Sequence, residues 1–324
     1  MRIALCLSGY FNSLTDRTSL GDEGFLYIKK NIFNKVSPES EIDVFFHNWE
    51  PDIKEKLLSI YQPKKYIVEK QIDFVKIAEE NKISKRDYGY ENLLGTWTLD
   101  SKTGRGYAGP ERILSQFYTL QKSIELKKEY EEENNFKYDC VIKARFDLGM
   151  INRNTSGPGK GNPYPCQCIN FDETNDMSYF YQVYWDLFNE GPADMWFYSN
   201  SENMDKFASV YEWHQENNVP FGKLSPHDEC YIQLKRINLH NKLDFAYFGY
   251  DPHASNSGHN IMQCEIVRAL YENPEYVEGD FNIEKAKIIK DKLTDNPIVR
   301  SRFPGWGISS KTHDDVKKAG FKYI

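Results

Sequence analysis

No run in this chain approaches the about 18–20 consecutive apolar residues that a membrane-spanning helix needs. Nor is there a basic block: the net charge is −7, spread along the chain. A nucleic-acid binder normally carries a cationic stripe that neutralises phosphates, so that class is excluded, and any phosphate handled belongs to a small ligand. Both the G-x-G-x-x-G dinucleotide fingerprint and the G-x-x-x-x-G-K-[ST] phosphate loop are missing, which removes support for dehydrogenase and P-loop chemistry. Cysteine is sparse, with six residues scattered over 324 (Cys6, Cys140, Cys166, Cys168, Cys230 and Cys264). Cys166-x-Cys168 is too closely spaced for a zinc knuckle and has no second pair. Cys6 and Cys140 fall inside apolar runs, where a reduced thiol acts as a small hydrophobe, and a cytoplasmic, reducing compartment is expected. The opening "MRIALCLSGYF" breaks at Ser8-Gly9 without a small-residue cleavage site, which does not fit a signal peptide. With no internal repeat and no dividing linker, one elaborated domain is expected.

What is present is aromatic. Phe, Tyr and Trp make up 15% of the chain, with 22 Tyr, 20 Phe and 6 Trp. Such side chains either fill a core or stack on sugars and bases, and the core takes most of them. The first 70 or so residues alternate strand and helix: "IALCLSGY", "GFLYIKKNIFNKV", "IDVFFHNWEP", "DIKEKLLSIYQ", "KKYIVEKQ". Alternation of this kind predicts an α/β sheet with parallel strands, whose ligands gather beyond the strands' carboxyl ends. Residues 84–110 read as a polar, Gly- and Tyr-rich loop or insertion. A long helix follows from Pro110, its apolar residues recurring every three or four positions. It leads into the strand "YDCVIKARFDL", after which 152–168 form a Gly/Pro-rich loop. "ADMWFYSNSENMDKFASVYEWHQEN" gives a strand, a turn and a helix. "SPHDECYIQLKR" is a helix with Pro226 in its first turn, and "KLDFAYF" is a late strand.

Candidate residues cluster at strand ends. Ser8, Gly9 and Tyr10 follow the first strand, where a glycine lets backbone approach a ligand and an aromatic can stack; the ordinary alternative is a turn glycine. His47, Asn48 and Trp49 end the second strand, as ligand contacts or as a capped end with Trp packed on a neighbour. Lys143, Arg145 and Asp147 are spaced i, i+2, i+4 and share one face if the strand runs that far. Three charges on such a face pair with each other or meet a ligand. A carboxylate at Asp147 could hold Mg²⁺ or Mn²⁺ against a substrate phosphate; otherwise Arg145 and Asp147 form a strand-edge ion pair. Arg112 and Gln116 share a face of the preceding helix, with Lys122 on a solvated one. Asp228 and Glu229, beside His227, open the late helix; they serve as a proton acceptor or merely favour the helix dipole. Asp194 and Trp196 open the strand "DMWFYS", and His253 with His259 lie in a polar loop.

In order, "IALCLSGYFNS", "DVFFHNWEP", "SQFYTLQKSIELKKEYE", "YDCVIKARFDL" and "ADMWFYSNSENMDKF" resemble a family of glycosyltransferase-like proteins. Its members occur in bacterial polysaccharide clusters, phages and large DNA viruses. The likeness covers roughly residues 1–210 and leaves the C-terminal third unmatched. It implies a GT-A-like, Rossmann-like α/β fold with a mixed, mostly parallel sheet. The nucleotide-sugar half would span 1–150, an acceptor and catalytic half 151–260, and a helical extension 261–324. The implied activity is transfer of a sugar from a UDP- or GDP-sugar donor to a glycan or other hydroxyl. Ser8, Gly9, Tyr10, His47, Asn48, Trp49, Arg112, Gln116, Lys143 and Arg145 would then serve the donor, and Asp194 and Trp196 the acceptor. Asp228 or Glu229 would be the base, and Asp147 with His253 would hold Mn²⁺ or Mg²⁺. Asp147 stands near the place of an Asp-x-Asp metal motif, but position 145 is Arg rather than Asp. A nucleotidyltransferase, or a non-catalytic glycan binder on the same fold, are the alternatives.

Overall fold

Strand β1 (Arg2–Gly9) is apolar on both faces and buried along nearly its whole length, as a central parallel strand must be. In this computed structural model residues 1–12, 20–80, 98–99, 106–107, 110–149, 169, 171–184, 194–217, 226–239 and 242–248 are described. The 152–168 loop, His253, His259 and the 261–324 extension therefore lie outside the described residues.

Around β1 the chain builds a mixed sheet of seven strands, in the order β3-β2-β1-β6-β8-β7-β9. Strands β2 (Glu41–Asn48), β3 (Lys65–Val68) and β6 (Cys140–Arg145) run parallel to β1 or to each other. On the other side β8 (Trp196–Ser199) is antiparallel to both β6 and β7 (Phe180–Tyr184), while β9 (Leu243–Phe248) is parallel to β7. A separate two-stranded antiparallel ribbon, β4 (Thr98–Leu99) and β5 (Gly106–Tyr107), falls within the segment read as a polar loop. The mostly parallel α/β architecture expected from the sequence is thus observed.

Alternation along the strands sends side chains into two cores. One contains Ala4, Cys6, Phe45, Val141 and Phe197. It is covered by α3 (Phe74–Glu80), α4 (Pro110–Asn134), α5 (Ser201–Ala208), α6 (Val210–Asn217) and α7 (Pro226–Arg236). The other contains Ile3, Leu5, Leu7, Phe46 and Ile142 under α1 (Leu20–Ile28) and α2 (Lys54–Tyr61). A π-helical turn, Lys29–Phe33, extends α1. Among the described residues no helix is long and apolar enough to cross a membrane.

Two details hold this frame. On α1, a Cβ at Gly24 would collide with the backbone carbonyl oxygen of Phe146, so the helix lies directly on the turn that follows β6. On the opposite face of the sheet Lys127 is fully buried. It donates to Glu131, Ser201 and Asp205, tying α4 to α5, and Glu131 also accepts from the Tyr138 amide at the entry to β6. A buried ammonium is tolerated only when paired and hydrogen-bonded in this way.

Candidate functional site

In the order β3-β2-β1-β6 the chain moves from β1 to one side for β2 and β3, then to the other for β6. The crevice between the carboxyl ends of β1 and β6 is the point where the winding reverses, and open α/β sheets bind ligands there. Register places Ser8 opposite both His47 and Arg145, so His47, Ser8 and Arg145 stand side by side at that edge. One step below, Cys6 faces Phe45 and Lys143, and Lys143 faces Phe197.

Lys143 and Arg145 do share a face, but the strand ends at Arg145 and Asp147 sits in the following turn. The turn brings Asp147 back. Arg145 Nε donates to its Oδ1 at 2.8 Å and the second guanidinium nitrogen to its Oδ2 at 2.6 Å. This is the bidentate fork that a planar guanidinium favours. The Arg145 side chain remains 38% exposed, against 12% for Asp147. A third guanidinium nitrogen contacts Met195 Sδ at 3.7 Å. Lys143 is buried; its Nζ lies over the Phe197 ring and donates to the Asp194 carbonyl at 2.7 Å. Burial pushes its ammonium down to about 8, with the Asp194 carboxylate partly offsetting the shift. Gln116 on α4 donates to Asp194 Oδ2, so Asp194 joins α4, β8 and Lys143 in one cluster.

On the β2 side, His47 is buried and hydrogen-bonds through Nε2 to Glu69 at 2.9 Å, while Nδ1 has no hydrogen-bond partner among the described residues. Desolvation lowers its pKa, Glu69 partly offsetting this, and the ring is neutral at pH 7. Trp49 stacks on Tyr118, with centroids 5.5 Å apart and planes at 16°, inside a cluster with Phe74. This is the packed alternative read from the sequence. Gly9 has φ +98°, a conformation that side chains rarely adopt, and no described atom lies within contact distance of where a Cβ would project. Tyr10 donates to Gln71, which in turn donates to Ser115 on α4.

Sequence reasoning overlooked Glu50. Its carboxylate accepts from the amides of Phe11 and Asn12, the first of these at 2.5 Å. Asn48 completes the clamp, donating to the Gly9 carbonyl and accepting from the Glu50 amide. Its signal was an acid two positions past a buried Asn, which shows no periodicity.

The structure therefore brings together Ser8, Gly9, Tyr10, His47, Asn48, Gln116, Lys143, Arg145, Asp147 and Asp194. Trp196 is not brought in: strand alternation sends it to the opposite core, where it is fully buried and stacked on Tyr198. Glu229 is also buried and bonds His214 at 2.9 Å, its carboxylate facing α6. Asp228 occupies the first turn of α7, and Arg112 is exposed one turn before Gln116. Lys122 pairs with Glu125 on the solvated face of α4.

Of the two residues expected to hold Mn²⁺ or Mg²⁺, His253 lies outside the described residues, and Asp147 is poorly placed to ligate such an ion. Both Asp147 oxygens are engaged by Arg145, a cation that would stand beside any metal. Among the described residues no group of three or more His, Cys, Asp or Glu is arranged to ligate one.

No protein-family model matches the chain, and no curated protein matches it in sequence. Among solved structures it is similar to a cytidylyltransferase from Leptospira borgpetersenii serovar Hardjo-bovis. Identity is 11%, the alignment covers 90% of this chain and 94% of that one, and the TM-score is 0.29. A likeness so distant carries no inference about activity.

Proposed function

We propose that the chain is a nucleotide-dependent transferase that moves a sugar from a nucleoside-diphosphate sugar to a hydroxyl acceptor. The observation that carries this reading is the pairing of Ser8 with Arg145 across the crevice where the sheet's winding reverses. A guanidinium at that edge can bind a phosphate and stabilise the negative charge that grows on a departing diphosphate. With no described atom within contact distance at Gly9, the donor's base or ribose could approach the end of β1. Asp194, held by Gln116 and Lys143, would line the acceptor side. Asp228, in the first turn of α7, would take the acceptor's proton if configuration inverts.

Nucleotidyl transfer is the second reading. It calls for a Gly-rich, basic loop after β1 whose amides cradle a triphosphate. Here the Phe11 and Asn12 amides already serve the Glu50 carboxylate, which adds negative charge to that loop and favours glycosyl transfer.

Melting curves with UDP-, GDP- and CMP-sugars test the reading. One donor is expected to raise the melting temperature, by an amount set by its concentration relative to its dissociation constant. The same donor with an acceptor should release nucleoside diphosphate. Release of pyrophosphate from a nucleoside triphosphate and a sugar phosphate would establish nucleotidyl transfer instead, and no shift with any donor would sink both readings.

A further inference from the structure

Resting on that nucleotide reading, we infer that the diphosphate is bound without a divalent cation, by the Arg145 guanidinium, with Asp147 as the group that positions it.

Three observations lead there. First, the Arg145–Asp147 fork uses both carboxylate oxygens at 2.8 and 2.6 Å. A divalent ion at Asp147 would have to share those oxygens with a guanidinium a few ångströms away, and the two cations would repel strongly at such a separation. Second, among the described residues the other carboxylates of the site already accept hydrogen bonds, and no group of three or more is arranged to ligate an ion. Asp194 accepts from Gln116, Glu50 from the Phe11 and Asn12 amides, and Glu69 from His47 and Tyr118. Third, the fork orients rather than hides the guanidinium. Asp147 is the more buried partner, while over a third of the Arg145 side chain reaches the surface at the reversal point beside Ser8.

The residue types at the end of β6 and in its turn suit this role. An Asp-x-Asp motif would offer two carboxylates to a cation, whereas this chain has Arg145-x-Asp147. One cationic side chain, fixed by a carboxylate two residues away, supplies the positive charge directly. Arginine suits the task because its charge is permanent and its planar donors match phosphate oxygens in pairs.

The test is calorimetric titration of the full chain with UDP and GDP, once in EDTA and once with excess Mn²⁺. Binding is expected to be as tight in EDTA as in Mn²⁺ and to weaken as salt rises. Arg145→Gln should weaken it about tenfold or more, as loss of a charge-assisted contact does. Arg145→Lys should recover part of that loss, since it restores charge but not the fork. Asp147→Asn should weaken binding in EDTA without creating a requirement for Mn²⁺. Melting curves of each variant show that the fold persists, and the comparison of EDTA with Mn²⁺ needs no variant at all. Diphosphate binding that vanishes in EDTA and returns with Mn²⁺ would overturn the inference while leaving the nucleotide reading intact. Unchanged affinity in Arg145→Gln would also overturn it, reducing the fork to a strand-end ion pair. If neither nucleotide binds under either condition, the preceding reading fails and this one with it.

Discussion

A lysine buried as deeply as Lys143 holds its proton loosely. Burial brings its pKa from the ordinary 10.5 down to about 8, against a partial pull upward from Asp194. Between those values the unfolded chain keeps a proton that the folded chain has released, so this residue's contribution to stability rises with pH across that window. Lys143→Met removes the slope. Denaturant titrations of both proteins should show wild type gaining on the variant between about pH 7.5 and about pH 9.5. An equal difference at both pH values would mean that Lys143 is not desolvated as described. At this scale the sequence was partly legible. The spacing of Lys143, Arg145 and Asp147 located the cluster, but the end of β6 at Arg145 depends on a turn that periodicity does not show. Glu50 was invisible because its partners are the backbone amides of Phe11 and Asn12, and any sequence offers amides there.

At the scale of elements, local preference and packing disagree at Gly24. In an exposed helix, replacing Gly by Ala stabilises by about 1 kcal/mol. On α1 the added Cβ would meet the Phe146 carbonyl oxygen, which is backbone and cannot swing aside. Gly24→Ala is therefore expected to destabilise, by roughly 1–3 kcal/mol in line with overpacked interiors, and a lowered melting temperature would show it. A raised one would mean that α1 stands clear of the turn. Many elements were readable from pattern: β1, β2, β3, α4, β8 and β9, for example, lie where apolar runs and helical spacing put them. Strand β7 was not. Its stretch Phe180–Tyr184 is aromatic on both faces, with Phe180 in one core and Tyr181 in the other, so no alternation betrays it. The single helix expected after β8 is divided at Ser209 into α5 and α6, a break no proline or glycine signals.

Across the whole molecule, the sheet separates stability from chemistry. Its two cores hold the described cysteines Cys6, Cys140 and Cys230 with no exposure, and burial pushes each thiol's pKa up. A thiol without thiolate or access does not react. Iodoacetamide followed by peptide mapping should leave these three unlabelled in the native protein and label them in denaturant. Native labelling of Cys6 would show that the strand at the centre of the sheet opens locally. The overall α/β architecture was legible because parallel strands and crossover helices leave different periodicities. The placement of Trp196 in the far core was not, because a residue's face depends on the register of its strand.

The contact between Gly24 and Phe146 has a consequence for motion. The turn touching α1 is the same one that carries Asp147, and through it the orientation of Arg145. Backbone lies on backbone at Gly24, and the Tyr27 side chain of the same helix packs against Gly149 of that turn, so α1 rests on the turn at two points. Hydrogen exchange of the α1 amides is therefore expected to change when UDP is added, and unchanged exchange would mean that the contact transmits nothing from Arg145.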